Sequence, residues 1–111
     1  MTIRELQKLC HKIAIKKGFW DTNTEILEKH FAGKNGRNNG EMIALMHSEL
    51  SEALEELRKP NCNIKKVGEE LVDCFIRILD FCGGRNIDLQ TLLEKKINKN
   101  KNRPYKHGKN F

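Results

Sequence analysis

The sequence predicts an all-α fold, a four-helix bundle, on three observations. Apolar residues recur at helical spacing in four segments, glycine, proline or short polar residues bound those segments, and no stretch alternates apolar and polar residues over a useful length. With 111 residues, 38% of them hydrophobic and 32% charged, the chain has material for a single domain over 1–111 with one core. Aromatics make up only 6%, so that core must be mostly aliphatic.

The first helix is expected over about residues 2 to 17, with Ile3, Leu6, Leu9, Cys10, Ile13 and Ala14 on one side and Gly18 as its C-terminal stop. The run GFWDT then turns the chain. A short helical piece is expected over about residues 24 to 31, and the Gly- and Asn-rich run GKNGRNNG reads as a flexible loop. The second helix is expected over about 40 to 58, with Ile43, Met46, Leu50, Ala53, Leu54 and Leu57 as its core stripe and Pro60 forbidding continuation. The third, about 64 to 82, places Val67, Leu71, Cys74, Phe75, Ile78 and Cys82 on one face and is expected to stop at Gly83 and Gly84. The fourth, about 89 to 101, packs Leu92, Leu93 and Ile97, and Pro104 marks where the tail leaves it. Short connections imply antiparallel neighbours.

The net charge of +6 is unevenly spread. Residues 95–111 hold seven Lys or Arg and no acid, whereas the preceding 94 residues hold fourteen basic and fifteen acidic groups. A near-neutral body therefore carries a basic C-terminal tail. Cys10, Cys62, Cys74 and Cys82 form no closely spaced pair and read as reduced thiols, with Cys74 and Cys82 serving as small core residues. The histidines are scattered, which gives zinc chemistry little support. No apolar run approaches the roughly 18 to 20 residues of a membrane helix, and the first ten residues have no signal-like segment, so no membrane partner and a cytoplasmic location are expected.

The chemistry concentrates in two acidic pairs. Glu49 and Glu52 stand three apart on the second helix, and Glu70 and Asp73 repeat that spacing on the third. If those helices pack antiparallel, four carboxylates converge on one seam and repel one another unless a cation sits among them. Hard oxygen ligands suit Mg²⁺, with Mn²⁺ as a substitute. Glu55, Glu56 and Glu69 read instead as a solvated face, paired with Arg58, Lys65 or Lys66.

These residues resemble a known family, the all-α nucleoside triphosphate pyrophosphohydrolases, and in particular the small MazG-like proteins. ELSE at 49–52 and ELVD at 70–73 match that family's E-x-x-E and E-x-x-D, with seventeen residues between them. The tail gives an independent match to the MazG-like ending through Lys96, Asn100, Arg103, Pro104, His107, Gly108 and Lys109. Many members open the first motif with a double Glu. Here Ser48 precedes Glu49, which leaves the number of metal ions open.

The resemblance implies hydrolysis of a nucleoside triphosphate between its α and β phosphates, giving a monophosphate and pyrophosphate. A cation held by Glu49, Glu52, Glu70 and Asp73 would bind phosphate oxygens and activate water, with Glu49 or Glu52 favoured as the base. On a helix, Lys96, Asn100 and Arg103 at i, i+4 and i+7 line one face and can reach successive phosphates, and Lys109 can fold back from the tail. Phe19 or Trp20 can stack on a base, although a single Trp after a helix more often fills a core. A bundle of this size gains by pairing with another copy, so a homodimer or homotetramer is expected. Two alternatives to the enzyme stay open: the main one is a nucleic-acid-binding module that grips phosphate with its tail while the acids are merely surface, a partner not expected on the enzyme reading, and the other is a non-catalytic regulator that binds a nucleotide.

Overall fold

The structure is a computed structural model that describes residues 1–21 and 37–111. Its elements are α1 (Ile3–Lys16), α2 (Asn39–Leu57), α3 (Ile64–Gly84), α4 (Leu89–Lys101) and a 3-10 turn at Tyr105–Gly108. Among the described residues there are four α-helices and no strand, so the all-α expectation holds. The helical piece expected over 24–31 and the first half of the Gly- and Asn-rich loop lie outside the described residues.

Each helix begins at a residue whose side chain satisfies an orphan backbone N–H. Thr2 Oγ1 accepts from Glu5 N at 3.1 Å, Asn38 Oδ1 from Glu41 N at 3.0 Å, Asn63 Oδ1 from Lys65 N at 3.0 Å and Asp88 Oδ1 from Thr91 N at 3.2 Å. Such caps are worth about 1 kcal/mol each. Gly18, at φ +87°, terminates α1 in the left-handed region as the sequence implied.

Helix α3 is the centre of the fold and packs against both α1 and α2. It runs antiparallel to α2: Asn39 meets Arg85, Glu49 meets Arg77 and Glu56 meets Asn63. It also runs antiparallel to α1, where Gln7 Nε2 donates to Ile87 O at 2.8 Å and His11 reaches Asp80. Helix α4 docks on α1 through its first turn, by Arg4 with Asp88 at 3.2 Å and the Arg4 N–H with Gln90 Oε1 at 3.0 Å.

The core is small and its composition departs from expectation. The buried face of α2 is Met42, Met46, Glu49, Ala53 and Glu56, whereas Ile43, Leu50, Leu54 and Leu57 are 42–56% exposed. On α3, Val67, Cys74, Leu79, Asp80 and Cys82 are buried, but Leu71 and Phe75 are 49% and 40% exposed. On α1, Leu9 and Ile13 are exposed, as are Leu92, Leu93 and Ile97 on α4. Both α2 and α3 thus carry two apolar flanks, of which one is covered and the other exposed among the described residues.

Helix α3 ends at Gly84 with Arg85 as its C-cap, so the expected stop at the glycine pair holds. A Cβ on Gly83 would lie 2.6 Å from the His11 Cβ, and one on Gly84 would lie 2.2 Å from the Trp20 ring, so the pair makes room for α1 and its following turn. Glu56 is not on a solvated face: it is 6% exposed, accepts from Asn63 N at 3.0 Å and pairs with Lys59 at 2.8 Å. Those partners hold its carboxyl below the usual range and tie the turn between α2 and α3.

Candidate metal centre

Antiparallel packing of α2 on α3 brings the two acidic pairs together. Carboxylate oxygens of Glu49, Glu70 and Asp73 lie within 4.8 Å of one another. The neighbouring Glu52 carboxyl, followed by desolvation and the charges of Glu52, Asp73 and Glu49, pushes the Glu70 pKa up to about 7. All four acids named from the sequence are therefore neighbours, with three positioned to share one ion. Three oxygen donors at this spacing, with a fourth beside them and no sulfur or imidazole among them, fit a hard divalent cation such as Mg²⁺ or Mn²⁺.

Glu49 is the most enclosed of the four, at 9% exposure, and its Oε1 accepts from Arg77 Nε at 2.9 Å. Glu52 and Asp73 are exposed. Beside these acids a cleft of about 360 Å³ opens between α1 and the α2–α3 pair. Ile13, Ala14, Phe19 and Ile76 give it apolar walls, and Glu49, Asp73, Arg77, Asp80 and Arg37 give it charged ones. The volume falls at the lower end of small-molecule sites, which span about 300 to 1,000 Å³. A second hollow of about 320 Å³, lined by Gln7, Lys8, His11, Lys12, Ile15, Gly83 and Asn86, has no carboxylate in its wall. The chemistry belongs to the first.

Behind the cleft lies a polar cluster centred on Asp80, which is 7% exposed. Asp80 Oδ1 accepts from Trp20 Nε1 and from the His11 Nδ1–H, both at 2.9 Å, and Oδ2 lies 3.5 Å from Arg37 Nη1. The guanidinium carbons of Arg37 and Arg85 each sit 5.3 Å from the Trp20 ring centroid, and His11 meets that ring edge-on at 4.9 Å. Arg85 also donates to Asn39 Oδ1 and to the Arg37 carbonyl, at 2.7 Å each. Trp20 is accordingly a structural ring between two guanidinium groups, and Phe19, 61% exposed at the cleft, is the aromatic open to a ligand.

The tail residues stand elsewhere. Lys96, Asn100, Arg103 and Lys109 are exposed, and none of them lines the cleft. Arg103 does not extend a helical row with Lys96 and Asn100, because α4 ends at Lys101 and the chain then turns, with Arg103 N donating to Asn100 O at 3.3 Å. Lys106 and His107 both take φ 53° in the following 3-10 turn.

Sequence reasoning missed Arg77, Asp80, His11 and Arg37. One signal was available: Glu70, Asp73, Arg77 and Asp80 recur at i, i+3, i+7 and i+10, a charged row along one face of α3. Comparison with known protein families, with curated proteins and with solved structures finds no match.

Proposed function

We propose that the chain is a Mg²⁺-dependent nucleoside triphosphate pyrophosphohydrolase of the MazG-like type, cleaving between the α and β phosphates. The observation that carries this reading is the convergence of Glu49, Glu70 and Asp73, with Glu52 beside them, at the edge of a cleft of ligand size. When bound, Mg²⁺, or Mn²⁺ in its place, would neutralise these acids and stabilise charge on phosphate oxygens.

Glu49, Glu70 and Asp73 hold the ion, and Glu49 is kept in place by Arg77. Of the two candidates Glu49 and Glu52, Glu52 would take a proton from water on this reading, a role supported by its exposure and its position outside the group of three. Ile13, Ala14, Phe19 and Ile76 offer the apolar surface a nucleoside base needs, and their burial by it excludes water. The reading is tested by offering purified protein each common and modified nucleoside triphosphate with Mg²⁺ or Mn²⁺ and separating pyrophosphate from orthophosphate release.

The protein works as a homodimer or homotetramer on this reading. Two features support it: the exposed apolar flank of Ile43, Leu50, Leu54 and Leu57 on α2, and a cleft wall that includes none of the tail residues. Lys96, Asn100, Arg103 and Lys109 then reach phosphates of a nucleotide in a neighbouring copy's cleft. Among the described residues no helix is long and apolar enough to cross a membrane, which suits a nucleotide-pool enzyme of the cytoplasm.

One observation favours a second reading. All seven basic residues of the tail are exposed and apart from the acidic cluster, as expected of a segment gripping a nucleic-acid backbone. Binding that weakens steeply with salt and ignores divalent metal would support it.

A further inference from the structure

Arg77 is the one arginine of the cleft with unused hydrogen-bonding capacity at the acidic cluster. It lies one turn beyond Asp73 on α3, lines the cleft, and its side chain is 35% exposed. Its Nε–H is taken by Glu49 Oε1 at 2.9 Å, but a guanidinium carries five N–H donors. The four on its terminal nitrogens have no acceptor among the described residues. The other arginine of the cleft is committed differently: Arg37 is 13% exposed, approaches Asp80 Oδ2 and sits over Trp20. Lys17, at the end of α1, offers the cleft only a point charge on a flexible stem.

We infer that Arg77 binds the phosphate chain of the substrate beside the cation, using Nε to hold Glu49 and its terminal nitrogens to hold phosphate oxygens. This deepens the pyrophosphohydrolase reading and rests on it for the identity of the anion. A planar fork of donors matches a phosphate in two parallel hydrogen bonds, and its anchoring by Glu49 removes much of the ordering cost. The same contact with Glu49 places the anion next to the acids. Cation and phosphate subsites thereby share one carboxylate.

The alternative is that Arg77 does no more than orient Glu49, and the two roles separate in binding measurements that need no turnover. The full-length protein, Arg77→Gln and Arg77→Lys are titrated with Mn²⁺ alone and then with the manganese complex of inorganic pyrophosphate, with circular dichroism to confirm folding. Arg77→Gln loses the hold on Glu49 and should weaken Mn²⁺ binding by about 10-fold, but should weaken manganese pyrophosphate binding by about a further 10-fold to 100-fold, the loss expected for charge-assisted hydrogen bonds to the phosphate. Should Arg77→Gln fail to fold, Arg77→Lys decides. It keeps the charge beside Glu49 but not the fork, and should weaken pyrophosphate binding about 3-fold to 10-fold with Mn²⁺ binding retained.

Unchanged pyrophosphate affinity in the folded variants would overturn the inference. So would equal losses of Mn²⁺ and pyrophosphate binding, or a wild-type protein that binds no pyrophosphate with Mn²⁺ present. A wild type that shows the expected binding pattern yet hydrolyses no nucleoside triphosphate would retire the enzymatic reading while supporting Arg77 as the anion-binding residue.

Discussion

Glu70 meets Glu52 across the seam between α3 and α2, and that neighbour, with desolvation and the charges of Glu52, Asp73 and Glu49, pushes the Glu70 pKa from 4.5 up to about 7. Between those values the folded state binds more protons than the unfolded state, and stability therefore falls as pH rises. In EDTA, the melting temperature should decline from pH 4.5 to above 7 relative to that of Glu70→Gln, which removes this titration. Divalent cation should reverse the trend, because it binds the ionised cluster and competes with the proton. Parallel pH profiles for the wild type and Glu70→Gln would show that the Glu70 pKa is not raised in this way.

Asp80 gathers donors from three separate segments, the α1 helix, the turn after it and the residue before the α2 cap. Asp80→Ala leaves the Trp20 N–H, the His11 ring and the Arg37 guanidinium without their acceptor. The expected cost is about 3 to 5 kcal/mol in urea unfolding, with a shift in the emission of Trp20, the only tryptophan. A loss under about 1 kcal/mol would mean that the cluster does not hold α1 to α3.

The glycines of α3 should respond in opposite directions to the same substitution. At Gly68 an added Cβ meets nothing within 4 Å, so Gly68→Ala should stabilise by about 0.5 to 1 kcal/mol through helix propensity. At Gly84 the same Cβ meets the Trp20 ring at 2.2 Å, and Gly84→Ala should cost about 1 to 3 kcal/mol. Thermal melts of the two variants decide this. A stabilised Gly84→Ala would contradict the close packing of Trp20 on α3.

Helix limits and the acidic motif were legible because both are local. Thr2, Asn38, Asn63 and Asp88 cap their helices, and the spacings of Glu49 with Glu52 and Glu70 with Asp73 set one face of each. What a face packs against was less legible. Met46 and Ala53 are buried as expected, but Leu50 and Leu54, which repeat at helical period as core residues would, are exposed while Glu49 is buried, because two overlapping stripes share α2 and periodicity ranks neither. Asp80 and its donors His11, Trp20 and Arg37 are 43 to 69 residues apart in sequence, so only the fold brings them together. Gly83 and Gly84 carried a signal with two physical meanings, helix stop and close approach, and both apply: the helix ends at Gly84, and the pair lets His11 and Trp20 come near.

The exposed flank of α2 gives an assembly prediction. Leu54 is 56% exposed in the chain. If a second copy covers that flank, size-exclusion chromatography with light scattering should give a dimer or tetramer, and Leu54→Glu should shift it toward monomer by placing a charge in the interface. A monomeric wild type at tens of micromolar would contradict the proposed assembly.

The tail residues separate the enzymatic reading from the nucleic-acid one. Lys96→Ala or Arg103→Ala should each lower kcat/KM by about 30-fold to 1000-fold if they hold phosphate in the transition state, with Lys101→Ala far milder. Backbone binding would instead make all three variants similar, each reducing the salt slope of DNA or RNA binding by about one. Equal and small effects on hydrolysis would remove the tail from the site.

The central claim is that Glu49, Glu70 and Asp73 hold a catalytic divalent cation, and the most direct measurement is phosphorus NMR of the products formed from a nucleoside triphosphate with Mg²⁺, for wild type and Asp73→Asn. Asp73 is exposed, so its amide variant should fold normally and isolate the chemistry. The expected result is pyrophosphate and nucleoside monophosphate from the wild type, none with EDTA, and a loss of at least about 100-fold in Asp73→Asn. Orthophosphate as the primary product, release that persists in EDTA, or an Asp73→Asn protein as active as wild type would contradict it.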